Sequence, residues 1–170
     1  MTAPTAPAVP VRTSAVILDG DEICLIHRRR HDGDQYSVPG GLVQDIEPIP
    51  AALARELREE LDLDLAQVPK TPQLRWVQDQ INNRPGTGQT FRRLHLVHLV
   101  TLPSGLRKTL AASELDANDP TEVTWTNYRD AVSFHLYPDI RSALEALPRT
   151  GPDRGPVWLE PMTDRTYRWR

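Results

Sequence analysis

Pro39-Gly40-Gly41-Leu42-Val43-Gln44-Asp45-Ile46-Glu47, continuing through Pro48-Ile49-Pro50-Ala51-Ala52-Leu53-Ala54 to Arg55-Glu56-Leu57-Arg58-Glu59-Glu60-Leu61-Asp62-Leu63, is the stretch whose reading decides the fold. Its second half predicts a helix beginning between Pro48 and Ala51, since proline is tolerated in a first turn, and ending near Asp62. At 3.6 residues per turn, Glu56, Glu59 and Glu60 stand at i, i+3 and i+4, so three carboxylates share one face. Leu53, Leu57 and Leu61 recur every fourth residue on another face, the one a core can bury. Like charges at that spacing repel and destabilise a lone helix. Either they form a solvated acidic face, or something positive sits among them; hard oxygen donors suit Mg²⁺ or Mn²⁺. The first half predicts a strand running into a Gly40-Gly41 turn, where backbone can approach a ligand closely.

Taken together, Gly41, Glu47, Arg55, Glu56, Leu57, Glu59, Glu60 and Leu63 fall in the register G-x5-E-x7-R-E-U-x-E-E-x-x-U, with U aliphatic. This resembles the Nudix box, the signature of the MutT-like pyrophosphohydrolases, and six matched polar or glycine positions make it specific. One position departs: Asp62 stands where the family has the glycine that ends the helix in a left-handed conformation. Gln44 and Ile46 also replace the Glu and Gly of many members.

The resemblance implies an α/β Nudix fold, a mixed β-sheet in an α/β/α sandwich with the box helix on one face. It also implies hydrolysis of a nucleoside di- or triphosphate derivative (nucleotide, nucleotide sugar or ADP-ribose type) with Mg²⁺, or with Mn²⁺ in its place. By the same resemblance Glu56 and Glu60 are metal ligands, Glu59 is a further or bridging one, and the backbone carbonyl of Gly40 or Gly41 adds a neutral oxygen. Arg55 limits the repulsion among these carboxylates and Glu47 pairs with it. The base that activates water is left open among Glu56, Glu59 and the later acids Glu114 and Glu122; Glu122 is also a candidate ligand. Marks of narrower substrate classes are absent. The proline found about sixteen residues after the box in ADP-ribose hydrolases is here Asp79.

Candidate substrate contacts are Arg28, at the end of a strand before the glycine turn, and three aromatics able to stack on a base: Tyr36, Trp76 and Phe91. Arg75, Arg84, Arg92 and Arg93 form an arginine-rich neighbourhood that suits phosphates or a solvated edge. His95 and His98, three apart on a strand, lie on opposite faces and do not pair on a metal.

Elsewhere, 11–18 and 23–28 predict a hairpin about Asp19-Gly20, and Asp32-Gly33-Asp34-Gln35 a polar loop. Strands over 74–81 and 91–102 flank a loop rich in Asn, Gly and Pro; the second carries apolar residues on both faces and is expected to be central. Glu122-Val123-Thr124-Trp125 predicts a last strand, with helical segments over 127–132 and 138–147. The domain reading is a disordered lead-in at 1–10, a Nudix domain over 11–147 and a C-terminal extension at 148–170, whose Trp158 and Trp169 are expected to dock on the domain or on a partner.

The 170 residues suffice for one core, and 39% apolar with 25% charged residues is ordinary for a soluble chain. A net charge of −3 gives no field that draws a nucleic-acid polymer, and no apolar run spans a bilayer. The single Cys24 forms no internal disulfide and the start has no signal-peptide pattern, so the cytoplasm is the expected location. A homodimer stays open. Two other classes are weighed against the enzyme. A nucleotide sensor on the same fold would not need all three glutamates, and an isoprenyl diphosphate isomerase would need a Cys in a catalytic motif, which Cys24 does not occupy.

Overall fold

A computed structural model of the chain describes residues 8–113, 120–147 and 155–169. In order, these form β1 (Val11–Asp19), β2 (Glu22–Arg30), β3 (Gly33–Ser37), β4 (Gly40–Leu42), α1 (Ile49–Leu61), β5 (Gln73–Asn83), β6 (Thr90–Thr101), β7 (Glu122–Asn127), α2 (Tyr128–Ala131), β8 (Leu136–Tyr137), α3 (Arg141–Ala146) and β9 (Val157–Trp158). The strands join in one mixed sheet of order β8-β3-β2-β1-β6-β5-β9, with β4 paired to β1 and β7 to β2. β6 is central: it runs parallel to β1 and antiparallel to β5. No helix among the described residues is long and apolar enough to cross a membrane.

Alternation along β1 and β6 sends neighbouring side chains to two separate cores. Ala15, Ile17 and Val100 pack with Leu53, Leu57 and Leu61 of α1, while Val16, Leu18 and Val97 pack with Leu136, Ile140 and Leu144 on the side of α2 and α3. Helices therefore cover both faces of the sheet, the α/β/α sandwich expected. Each of the three α1 leucines is at most 1% exposed and contributes about 1.5–3 kcal/mol by leaving water. Cys24 lies in the α1-side core, where burial pushes its thiol pKa up, so it acts as a small apolar filler.

The helix end is built as a glycine would build it, without the glycine. Asp62 adopts φ +56°, and its N–H and that of Leu63 return to the carbonyls of Arg58 and Leu57. Before the helix, Ile46 is also left-handed at φ +57°, and its side chain is fully exposed. A β-branched residue gains nothing there to offset the clash of its Cβ with the backbone. Ile46→Gly should raise stability by about 1 kcal/mol, a rise in Tm of about 2–4 °C for a chain of this size. An unchanged or lower Tm in a thermal melt would contradict that.

One local expectation gives way. Gly33, Asp34 and Gln35 belong to strand β3 rather than to a loop, because pairing with β2 places Arg28 opposite Gln35 and Arg30 opposite Gly33. The segment 155–169 docks on its own chain: β9 extends the sheet beside β5, and Met162 exchanges backbone hydrogen bonds with Asp79 and Ile81. Asp164 then accepts from both the backbone and side-chain N–H of Asn83, each at 2.7 Å.

Candidate active site

The first turn of the site is made by β4 pairing with β1, Gly40 opposite Ser14 and Gly41 opposite Thr13. Gly40 has φ +136°, and a Cβ there would run into the Thr13 carbonyl and the Ser14 backbone. At Gly41 a Cβ would land on the Glu56 carboxylate. Both glycines are thus demanded by close approach, the first to a neighbouring strand and the second to α1. The Gly40 N–H donates to Glu60 Oε2 at 2.7 Å, which locks α1 to the turn.

Arg55 organises the acidic face. Its Nε and Nη2 donate to the two oxygens of Glu47, both at 2.9 Å, a bidentate fork. Nη1 donates to Glu56 Oε1 at 2.7 Å and Glu59 Oε2 at 3.1 Å, and Nη2 also reaches the Leu42 carbonyl. One guanidinium therefore spreads its charge over three carboxylates, which offsets the repulsion the helix alone would suffer. The Arg55 hydrogen bonds, then the Gln44 backbone N–H, hold the Glu47 carboxyl down at about 2, and Glu47 in turn raises the Arg55 pKa. Because Glu47 falls from its ordinary 4.5, its contribution to stability is complete above about pH 4.5 and is lost as pH falls toward 2. The urea midpoint of the wild type should exceed that of Glu47→Gln by a constant margin near neutrality. That margin should shrink between about pH 4.5 and 2, and a pH-independent difference would remove Glu47 from this role.

Glu56 and Glu60 are buried, whereas the Glu59 side chain is 44% exposed. Among the described residues no three His, Cys, Asp or Glu side chains are gathered as a ready metal cage. The donor set nevertheless suits a hard divalent ion. Two buried carboxylates one helical turn apart face a glycine backbone, and Mg²⁺ keeps several waters, needing only one or two carboxylates from a protein.

Glu56, Glu60, Gly40 and Gly41 form one side of a cleft of about 690 Å³, a size that suits a small-molecule ligand. Arginines dominate the rest: Arg12 from β1, Arg28 and Arg30 from β2, Arg93 from β6 and Arg84 from the β5–β6 loop. Arg28 Nη1 donates to Ser37 Oγ at 2.8 Å, which fixes its fork beside the glycine turn. Arg12 is half-buried and sits over the Tyr137 ring at 5.8 Å; desolvation lowers its pKa, which Tyr137 and Glu60 partly offset. Arg93 donates to Tyr137 Oη at 2.9 Å and lies 4.3 Å over the Phe91 ring. The Nε atoms of Arg12 and Arg93 are buried with no hydrogen-bond partner. Unpaired cationic donors buried in a cleft are what an anionic ligand would satisfy.

Of the expected contacts, Arg28 and Phe91 line this cleft. Tyr36 does not. It follows Gln35 on β3, so it faces the other side of the sheet, stacked between His27 and Phe134 at 4.7 and 4.5 Å. Trp76 does not either; at 1% exposure it is a core residue between the sheet and the second helical layer. Glu122 stands on β7 opposite His27, 3.7 Å from its Nδ1 and 67% exposed, away from the α1 carboxylates. It stands on the surface beside that imidazole and does not line the cleft with Glu56 and Glu60. Glu114 lies outside the described residues. In the arginine-rich set, Arg84 and Arg93 reach the cleft, whereas Arg92 pairs with Asp79 at 3.1 Å and Arg75 is buried in the sheet. His95 bonds to Gln80 and His98 lies beside Thr13 and Ser14, on opposite faces as expected. Burial lowers the pKa of both imidazoles, more strongly for His95. Arg12, Tyr137 and Trp169 were not legible as site residues: each comes from a separate element, and only the closed sheet brings them together.

Residues 9–147 match the family model described as a NUDIX domain. None of the curated proteins compared with the chain matches it. Among solved structures, a mutator MutT protein from Bacillus halodurans aligns over 91% of each chain with a TM-score of 0.63 at 15% identity, a likeness of fold. A MutT NUDIX hydrolase from Burkholderia pseudomallei is 25% identical, with a TM-score of 0.57 over 80% of this chain and 95% of that one. A bifunctional NMN adenylyltransferase/ADP ribose pyrophosphatase from Francisella tularensis, solved with AMP and a Mn ion, is also 25% identical. There the alignment covers 88% of this chain but 44% of the other, with a TM-score of 0.61.

Proposed function

Since the chain belongs to the Nudix family by its match over residues 9–147, we propose that it hydrolyses a diphosphate bond in a nucleoside di- or triphosphate derivative, with Mg²⁺ or Mn²⁺ as the cofactor. The observation that supports this best is the meeting of Glu56, Glu60 and the Gly40-Gly41 turn at one side of an arginine-lined cleft.

Glu56 and Glu60, with the Gly41 backbone carbonyl, would hold the cation, which leaves Glu59 free for the proton. The bound cation would supply charge neutralisation at phosphate oxygens and a lowered pKa for water. Arg55, through its fork to Glu47, holds Glu56 at the cleft and ties Glu59 to it from outside the lining. Arg28, Arg12 and Arg93 bind phosphate oxygens and fix the chain for in-line attack, a positioning effect that accounts for most of phosphoryl-transfer catalysis. Glu59 is the base we assign: its Oε2 is bonded to Arg55 and its Oε1 takes the proton of the attacking water. The new P–O bond forms as the anhydride P–O bond breaks, and the leaving phosphate carries away the electron pair.

A phosphate-release panel with Mg²⁺ and Mn²⁺ tests this reading, coupled to inorganic pyrophosphatase for the triphosphates and to alkaline phosphatase for the diesters so that pyrophosphate and phosphomonoester products are counted. It should cover ordinary and oxidised nucleoside triphosphates, ADP-ribose, sugar nucleotides and dinucleoside polyphosphates. At least one class should turn over in wild type and not in Glu60→Gln. No turnover across the panel, with tight binding of one compound by calorimetry, would replace the hydrolase with a nucleotide sensor.

A further inference from the structure

The C-terminal segment lies beyond the matched domain, yet its Trp169 reaches the cleft. Trp169 lines the cleft together with Phe91 and Tyr137, its ring centroid 5.2 Å from Phe91 and 5.6 Å from Tyr137. Several contacts fix its placement. Met162 is bonded to the β5 backbone, Asp164 is bonded twice to Asn83, and buried Tyr167 packs edge-on against Trp169 at 5.8 Å. Rigid, preorganised aromatics bind at little entropic cost.

The order of groups along the cleft gives this position a meaning. Glu56 and Glu60 line the cleft with Arg12. Arg12 sits over Tyr137, which accepts from Arg93, and Tyr137 adjoins Trp169. The Arg84 guanidinium lies over the Trp169 ring at 5.8 Å. The sequence is therefore carboxylates, paired arginines, then an indole with a guanidinium above it. A ligand matched to it carries an anionic chain at one end and a flat, weakly polar ring at the other.

We propose that Trp169, contributed from outside the family domain, is a substrate-binding residue that stacks on a nucleobase. This rests on the hydrolase reading for the identity of the anionic end, and adds the residue that holds the other. Stacking on an aromatic has little preference among bases, so Trp169 fixes ring against no ring rather than one base against another.

Binding without turnover tests it in the full chain. The probes are the α,β-methylene diphosphates of adenosine, guanosine, cytidine and uridine, with methylenediphosphonate as the probe lacking a base, all with Mg²⁺. Trp169→Ala should weaken at least one nucleoside probe by about tenfold or more, leave methylenediphosphonate within about twofold, and be largely rescued by Trp169→Phe. Trp158→Ala, on the same segment but 68% exposed and outside the cleft, should leave all affinities unchanged. In the wild type, the nucleoside probe should quench a tryptophan signal that Trp169→Phe lacks, a readout that survives if Trp169→Ala does not fold. Equal weakening of base-bearing and base-free probes, or quenching that persists in Trp169→Phe, would overturn the assignment. Probes that bind and quench through Trp169 while the phosphate-release panel stays silent would overturn the hydrolase and keep the stacking residue.

Discussion

Glu60→Gln should lower turnover on the order of 10²–10³-fold while the folded structure persists. Glu60 is 5% exposed and accepts a hydrogen bond from the Gly40 N–H, which the isosteric Gln can still receive through its carbonyl oxygen. What it cannot supply is the charge. Gln has nearly the volume of Glu and opens no cavity, so Tm without metal should stay within a few degrees of the wild type. Adding Mg²⁺ distinguishes the two proteins independently of activity. Ligand that binds only the native state raises its stability by RT ln(1 + [L]/Kd), so wild-type Tm should climb with Mg²⁺ and that of Glu60→Gln should not. Turnover within a few-fold of wild type at saturating Mg²⁺ would end the assignment of Glu60 as a ligand.

The second large effect separates two adjacent glycines. Gly40→Ala should cost about 3–5 kcal/mol, or on the order of 10 °C in Tm, because it combines a left-handed φ with collision against strand backbone. Backbone held in the centre of a sheet cannot move aside. Gly41→Ala meets only the end of the Glu56 side chain, which can swing away at the expense of its bond to Arg55. Its signature should be lost activity with most stability retained. If the two variants melted alike, the distinction between a glycine required by the sheet and one required by the site would fail.

What could be read in the sequence follows the range of the physics involved. The box helix, its leucine face and the glycine turn are set by neighbours within a few positions, and the helix over Ile49–Leu61 lies within the expected bounds. The central position of β6 was legible because apolar residues occupy both its faces. Of four candidate contacts, Arg28 chosen for its place before the glycine turn and Tyr36, Trp76 and Phe91 chosen as aromatics, only Arg28 and Phe91 line the cleft. For a strand, which face a side chain takes depends on register with partners far away in sequence. A shift of one residue exchanges core for surface. Tyr36 and Gln35 differ by that single step, and the cleft received the glutamine. Trp169 depends on a segment whose docking rests on backbone bonds to β5 and on Asn83, none of which carries a local pattern.

The parallel pairing of β1 with β6 sets a schedule for synthesis. Val11 lies beside Leu94 and Leu18 beside Thr101, so the first strand to leave the ribosome waits for the sixth before its long edge is satisfied. At roughly 5–20 residues per second that wait lasts several seconds, with an apolar strand exposed meanwhile. The hairpin with β2 and the short pairing with β4 can form early, but they leave the β6 side of β1 open. Nascent chains halted before residue 90 should therefore engage holding chaperones and resist native folding, whereas those extended past Thr101 should release and close the sheet.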